Sequence, residues 1–325
     1  MSVVLSVSHL KKQFLLENYS LRFGKKAALR AVDDISFELT EGSVTGLVGE
    51  SGSGKSTVAK LILQLIKPNS GQIAYKGISL AGASKKDQRF LRREIQMIFQ
   101  NPYLSFNPHL KIKSVLKEVL KAHFSLSRNE MQARMVEHLR QVNLPEDSLE
   151  KYPAQFSGGQ QQRLAIVRAL AVNPKFLVAD EPVSSLDVSN QVQILKLLQS
   201  LESKKGLTIL MISHDLRMVR QIAEHVLVMY AGKILEKAPA DSFFAAPAHP
   251  YSGALLRSTP KMTGNSLEKK LFVQGEPPDL TRPLPACPFA PRCPKTRKIC
   301  FTKEPEWKTL AARHQVWCHL PNNSL

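Results

Sequence analysis

Hydrophobic and polar positions alternate over residues 31–39, which predicts a β-strand with one buried face. The pair Glu41-Gly42 then indicates a turn, and the apolar run at 44–48 predicts a short, fully buried strand. Strand, turn and strand therefore lead directly into a glycine-rich segment that begins at residue 49.

Helical spacing follows that segment, because apolar residues recur at every third or fourth position from 58 to 65. The pattern is also helical over 112–171 and over 192–201. Short apolar runs predict strands at 95–99, 176–179, 208–212 and 226–229. Strands that alternate with helices indicate a parallel α/β sheet, with 112–168 as a helical insertion.

Composition limits the classes of protein that fit. The chain has 325 residues, of which 43% are hydrophobic, as in globular proteins. No apolar run approaches the roughly 18 residues that span a bilayer, and the first residues lack a signal-peptide pattern, so we expect a soluble chain. The formal charge of +18 suits a polyanionic partner such as a nucleotide, a nucleic acid or an anionic membrane surface.

The composition changes near the C-terminus. Nine of the 20 Pro follow residue 276, and all four Cys follow residue 286, which predicts a separate, loop-rich C-terminal appendage.

The segment that begins at residue 49 fits the pattern G-x-x-x-x-G-K-[ST] between a predicted strand and a predicted helix. Glycines let backbone N–H groups surround a phosphate, and the helix N-terminus adds the positive end of its dipole. Lys55 supplies a cation for the β- and γ-phosphate oxygens, and Ser56 offers a hydroxyl to Mg²⁺. The sequence therefore predicts a nucleoside triphosphate site formed by Gly49, Glu50, Ser51, Gly52, Ser53, Gly54, Lys55, Ser56 and Thr57.

Two carboxylates end the predicted strand at 176–179. A buried strand delivers Asp180 to its carboxyl end, where the side chain reaches the Mg²⁺ shell. Glu181 then faces the γ-phosphate and orients or deprotonates the attacking water.

A second segment, Ser157-Gly158-Gly159-Gln160, begins another predicted helix. Free N–H groups at a helix start bind anions, yet the chain already has one phosphate loop. Two such sites in one chain make sense if two chains pair head to tail, so that each completes the other's nucleotide site.

Together these motifs resemble those of the ATP-binding-cassette (ABC) ATPases. The resemblance implies that Gln100, after the strand at 95–99, contacts the Mg²⁺ and water site, so that Mg²⁺ is held by Ser56, Gln100 and Asp180. It also implies that His214 contacts the γ-phosphate. Asp187, in Ser184-Ser185-Leu186-Asp187, would communicate across the dimer.

The implied fold is an α/β P-loop NTPase core with an antiparallel β subdomain, a helical subdomain and a small Cys/Pro-rich C-terminal extension. Its expected parts are 1–100 and 169–247 for the core, 101–168 for the helical subdomain and 248–325 for the extension. For the aromatic residue that stacks on adenine we choose Phe14, with Tyr19 and Phe23 as alternatives.

The segment His249-Pro250-Tyr251 resembles the start of the C-terminal extension in the oligopeptide/dipeptide importer ATPases, and the segments around residues 98–108 look like the F-type member. The resemblance implies ATP hydrolysis that drives peptide import. The implied partners are a D-type ATPase subunit, two integral membrane permeases and an extracytoplasmic peptide-binding protein, with the chain peripheral at the cytoplasmic face of the inner membrane. Two alternatives stay open: nickel or another non-peptide cargo, and a soluble ATPase that acts on nucleic acid or ribosomes.

Four cysteines share the C-terminal segment with spacing C-x₅-C-x₆-C-x₁₇-C, namely Cys287, Cys293, Cys300 and Cys318. Four thiolates can hold a [4Fe–4S] cluster or a tetrahedral Zn²⁺, and either would stabilise a segment with little core. The absence of C-x₂-C pairs favours the cluster, as does the resemblance to this branch. Zinc, with His314 or His319 as further ligands, and free thiols remain the alternatives.

Overall fold

The computed structural model of the protein describes residues 2–20, 26–184, 186–258 and 275–322. Its strands are β1 (Val3–Ser20), β2 (Lys26–Thr40), β3 (Val44–Val48), β4 (Ser70–Tyr75), β5 (Ile78–Ser79), β6 (Ile95–Ile98), β7 (Phe176–Asp180), β8 (Thr208–Ser213), β9 (His225–Tyr230), β10 (Lys233–Pro239), β11 (Trp307–Ala311) and β12 (His314–Trp317). Its helices are α1 (Lys55–Ile62), α2 (Lys85–Glu94), α3 (Ile112–His123), α4 (Arg128–Gln141), α5 (Gly158–Leu170), α6 (Val188–Lys205), α7 (Leu216–Ile222), α8 (Ala240–Ala245), α9 (Pro250–Ser258) and α10 (Ile299–Thr302).

One compact unit comprises residues 40–43 and 82–212. Its strands β6, β7 and β8 are parallel neighbours, with Ile98 opposite Ala179 and Asp180 opposite Ile212. Every residue of β7 is buried, which explains why this strand is a continuous apolar run instead of an alternating one. Helices α3, α4 and α5 form the expected helical block between β6 and β7.

The second unit comprises residues 2–39, 44–81 and 213–325. It contains an antiparallel sheet in the order β2-β1-β4-β5. It also contains β3 and β9, which are parallel, and β10, which runs antiparallel to β9. The expected α/β core with antiparallel and helical parts is confirmed, and the division into four segments stays a prediction.

The C-terminal segment, of which the structure describes residues 248–258 and 275–322, is not the separate appendage that its composition predicts. Strand β12 pairs with β10, with Val316 opposite Glu236, and β11 pairs with β12. Phe289 and Trp317 join a buried cluster that also holds Tyr230. The apolar residues of this segment are few and aperiodic, but they pack on the rest of their unit and do not need a core of their own.

Within the described parts of the chain, no helix has the length and hydrophobicity needed to cross a lipid bilayer.

Candidate nucleotide-binding site

The phosphate loop connects β3 to α1, and its glycines are required by both conformation and space. Gly54 has a φ of 107°, and a Cβ there would lie 2.1 Å from the carbonyl oxygen of Ala31. Gly49 has a φ of 155°, and a Cβ there would lie 2.0 Å from the carbonyl oxygen of Met229. Only glycine permits this backbone in so close a space. The solvent-exposed members of the motif are Ser51, Gly52 and Ser56.

Lys55 is only 5% exposed, and its ammonium group lies inside the loop. Its Nζ donates to the carbonyl oxygens of Gly49 (2.8 Å) and Glu50 (2.7 Å) and to Ser53 Oγ (3.3 Å). These contacts hold a positive charge beside the first turn of α1, where the helix dipole also favours an anion. The loop thus has the charge and the donors that a triphosphate requires.

Glu181 and Gln100, each expected near the attacking water, are in contact. Gln100 Nε2 donates to Glu181 Oε2 at 2.7 Å, and the Glu181 N–H donates to the carbonyl oxygen of Ile212 at 2.9 Å. Glu181 has a φ of 46°, a conformation uncommon for residues other than glycine and often found at functional sites. Asp180, the last residue of β7, is 6% exposed. Two carboxylates and an amide therefore meet at the carboxyl end of this strand.

His214 follows β8 directly and is exposed. The next residue, Asp215, is the N-cap of α7 and accepts a hydrogen bond from Arg217 Nη2 at 2.6 Å. Burial raises the pKa of Asp215, but the hydrogen bonds from Arg217 outweigh it and leave the pKa below its usual value. Asp215 therefore stays charged and fixes the turn that presents His214 to solvent.

The Ser-Gly-Gly-Gln segment forms a helix start, as predicted. Ser157 caps α5: its Oγ accepts from the Gln160 N–H (3.4 Å), and the Ser157 N–H donates to Gln160 Oε1 (3.0 Å). Gly158 and Gly159 form the first turn, whose N–H groups have no acceptor within the helix. Ser157 and Gln160 are exposed, so the helix start faces solvent.

Asn190 connects this helix start to Asp187 and was missed by sequence reasoning. Asp187 caps α6 by accepting from the Asn190 N–H (2.9 Å) and from Asn190 Nδ2 (2.7 Å). These hydrogen bonds lower the pKa of Asp187. A Cβ on Gly159 would lie 2.6 Å from Asn190 Oδ1, so Asn190 packs against the start of α5. The signal in the sequence was an Asp followed three residues later by a polar side chain.

Phe14 is half-buried, and Lys12 Nζ lies 5.1 Å from the centre of its ring. Tyr19's side chain and all of Phe23 lie outside the described residues. The choice of Phe14 as the adenine contact stays a prediction.

The four cysteines line one cavity together with His249. Burial, with the neighbouring thiols adding to it, raises the pKa of Cys287 to about 12 and that of Cys318 to about 11. No group of three or more His, Cys, Asp or Glu among the described residues is arranged to hold a single metal ion, so neither the cluster nor the zinc alternative gains support from this geometry. Cys300 is also buried, and Cys293 is half-buried.

The comparisons with known proteins agree with this geometry. Residues 32–184 match the model of the ABC transporter family, and residues 235–300 match that of the oligopeptide/dipeptide transporter C-terminal region. The di/tripeptide transport ATP-binding protein DppF of Pseudomonas aeruginosa is 44% identical over 91% of this chain and 92% of its own. The chain belongs to the ATP-binding subunits of the ABC transporters.

A second relative within this family, the oligopeptide transport ATP-binding protein AppF of Bacillus subtilis, is 40% identical over 98% of this chain and 97% of its own. Among solved structures, the post-hydrolysis dimer of the ATP-binding cassette MJ0796 with ADP and Pi is similar, with a TM-score of 0.64 and 28% identity. That match covers 73% of this chain and 98% of the solved one. The ABC ATPase fold of this chain is therefore shared with a cassette that was captured after hydrolysis.

Proposed function

We propose that this protein is the ATP-hydrolysing subunit of an importer of dipeptides and oligopeptides. The observation that carries the proposal is a complete ABC motif set in a chain that is 40–44% identical, nearly end to end, to di/tripeptide and oligopeptide transport ATP-binding proteins. The match to the transporter C-terminal region at 235–300 favours this function over a soluble ATPase that acts on nucleic acid or ribosomes.

MgATP is the substrate of the reaction. The loop at 49–54 and the Lys55 ammonium bind its phosphates. The Ser56 hydroxyl and the Asp180 carboxylate would supply oxygen ligands to its Mg²⁺. A water attacks the γ-phosphorus and the bond to ADP breaks as Glu181 accepts a proton from that water. Gln100 holds the Glu181 carboxylate by the 2.7 Å hydrogen bond, so the carboxylate keeps one orientation.

The exposed Ser157 helix start supports a two-chain site. We propose that Ser157, Gly158, Gly159 and Gln160 bind the γ-phosphate held by the opposing subunit, with Asp187 at the same interface. His214 would contact that phosphate from its own chain. The opposing subunit is proposed to be a D-type ATPase, and the pair would bind two permeases at the cytoplasmic face of the membrane. A separate extracytoplasmic protein would deliver the peptide.

Uptake by intact cells tests the cargo. We expect Lys55→Ala to abolish uptake of a labelled tripeptide, because the loop loses its cation, and to leave nickel uptake unchanged. Retained peptide uptake with lost nickel uptake would identify nickel as the cargo instead.

Co-purification tests the partner proteins. For this purpose the full-length tagged chain is purified from detergent-solubilised membranes. Two permeases and a second ATPase support the proposal, whereas ribosomes or nucleic acid without permeases contradict it.

We further propose that Cys287, Cys293, Cys300 and Cys318 hold a [4Fe–4S] cluster. Support comes from their convergence on one cavity, because four cysteine thiolates are the ligand set of such a cluster. The cluster would tie together a segment with little regular structure. Iron and sulfide analysis of the anaerobically purified full chain tests this. About four of each per chain are expected, and Cys300→Ser should lower both; an iron-free, colourless wild type would contradict the proposal.

A further inference from the structure

Two side chains from the C-terminal segment contact one residue of the phosphate loop. The backbone N–H of Glu50 donates to Tyr251 Oη at 2.9 Å. The Glu50 carboxylate accepts from Arg292 Nη1 at 2.8 Å and from Arg292 Nη2 at 3.2 Å. Both the main chain and the side chain of Glu50 are therefore held by residues more than 200 positions later in the sequence.

Arg292 is a fixed side chain and not a surface partner. It is only 8% exposed, and its Nη1 also donates to Tyr230 Oη at 3.1 Å. Tyr230 in turn packs against Tyr251, with ring centres 4.6 Å apart, and against Phe289, with ring centres 5.4 Å apart. A planar guanidinium that binds a carboxylate through two nitrogens has a defined orientation, and here three aromatic rings preserve it.

The charge of Glu50 gives this contact a consequence for nucleotide binding. Glu50 is the second residue of the phosphate loop, so it places a negative charge in the segment that must receive a triphosphate. An unpaired carboxylate there would repel the phosphates and leave the loop less ordered. Arg292 neutralises that charge and draws the side chain towards the cluster of Tyr230, Tyr251 and Phe289.

We propose that Arg292 is a positioning residue that sets the phosphate loop for MgATP through Glu50, with Tyr251 fixing the same residue from its backbone. This inference rests on the proposed function, because it assumes that the loop binds MgATP. It gives the C-terminal segment a direct role in nucleotide affinity.

The test measures the Kd of MgATP by titration calorimetry and KM and kcat by phosphate release, all with the full-length chain. Arg292→Gln is expected to raise Kd and KM about tenfold, equivalent to about 1.4 kcal/mol, and to change kcat less than threefold. Arg282→Gln is the matched control, since Arg282 pairs with Asp279 in the same segment but is 79% exposed. Arg282→Gln should leave Kd and KM unchanged.

A double-mutant cycle separates positioning from a general loss of structure. In a Glu50→Gln background, Arg292→Gln should change Kd less than twofold, because the charge to be neutralised is gone. A tenfold change in Kd in both backgrounds, or no change in either, overturns the inference.

If Arg292→Gln does not fold, Tyr251→Phe replaces it. This variant keeps the ring packing but loses the acceptor for the Glu50 N–H, so the Kd of MgATP should rise. An unchanged Kd in Tyr251→Phe overturns the inference. If the wild type itself neither binds nor hydrolyses MgATP, the proposed function fails instead.

Discussion

The side-chain amide of Gln100 donates to the carboxylate of Glu181 at 2.7 Å across two parallel strands that are neighbours in the sheet. The bond uses one carboxylate oxygen and orients the other. A group that accepts a proton in a transition state has to be held in this way, since misplacement lowers the rate steeply.

We expect Glu181→Gln to reduce ATP hydrolysis at least about 100-fold, because glutamine cannot accept the proton of the attacking water. The amide oxygen of glutamine can still accept a hydrogen bond from Gln100, so the backbone around residue 181 keeps its conformation. The variant should accumulate an ATP-bound dimer, detectable by light scattering after gel filtration. Lys55→Ala, which weakens phosphate binding, should form no such dimer. Hydrolysis at the wild-type rate in Glu181→Gln would remove Glu181 from the catalytic role.

Gly54→Ala should lower the free energy of unfolding by about 2–5 kcal/mol, because it combines a disfavoured backbone angle with overlap on the Ala31 carbonyl. Gly42 is a matched control: its φ is 65°, but a Cβ there meets nothing within 4 Å. Gly42→Ala should cost only about 1–2 kcal/mol from the angle alone. Urea unfolding of both variants measures the difference. Equal losses would mean that the space around Gly54 is not restrictive.

Ser157→Ala should reduce stability by about 1 kcal/mol through loss of the α5 cap and should also lower ATP turnover severalfold. Ser127 provides the control, since it caps α4 with the same reciprocal pair of hydrogen bonds, to Glu130. Ser127→Ala should reduce stability equally and leave turnover intact. Thermal melting and phosphate release measure the two effects. Parallel losses of turnover in both variants would show that Ser157 acts only as a cap.

Stability should fall as pH decreases from about 6.5 to about 4, because of His249. Its ring is 1% exposed, and Nδ1 accepts the Tyr251 N–H at 3.0 Å, so the folded state requires the neutral form. Burial lowers its pKa from 6.5 to about 4, although the nearby Glu236 carboxylate opposes that shift.

Between pH 6.5 and pH 4, His249 therefore binds a proton in the unfolded chain but not in the folded chain. The stabilisation that is present above pH 6.5 is lost as the pH falls through this range. The lowered pKa corresponds to about 3 kcal/mol. Urea unfolding between pH 7 and pH 5 measures the slope. His249→Gln should flatten it, whereas His109→Gln, at an exposed position, should not. An identical slope in wild type and His249→Gln would assign the pH dependence to other groups.

The local elements and motifs were predictable because each depends on neighbouring residues. The run that ends in Asp180 was apolar throughout, as a strand buried on both faces must be, and the glycines at 49–54 leave few other conformations. The hydrogen bond between Gln100 and Glu181 was not predicted, because it joins residues 81 positions apart.

What the sequence could not indicate was the fate of the C-terminal segment. Strand β12 is four residues long, and its partner β10 lies far earlier in the chain. No periodic pattern identified Arg292, a single arginine in a Pro-rich run whose partner is more than 200 residues away. Such pairings are decided by shape and charge in the folded molecule, which one-dimensional patterns do not contain.

The pairing of β12 with β10 also decides what a shortened version of this chain would be. A chain cut before residue 248 leaves the edge of β10 bare, and exposed strand edges pair with other chains. It also strips the Glu236 carboxylate of the Ala248 and His249 N–H groups and of His314 Nε2. A premature stop codon just before codon 248 should therefore yield insoluble material and not a smaller working ATPase.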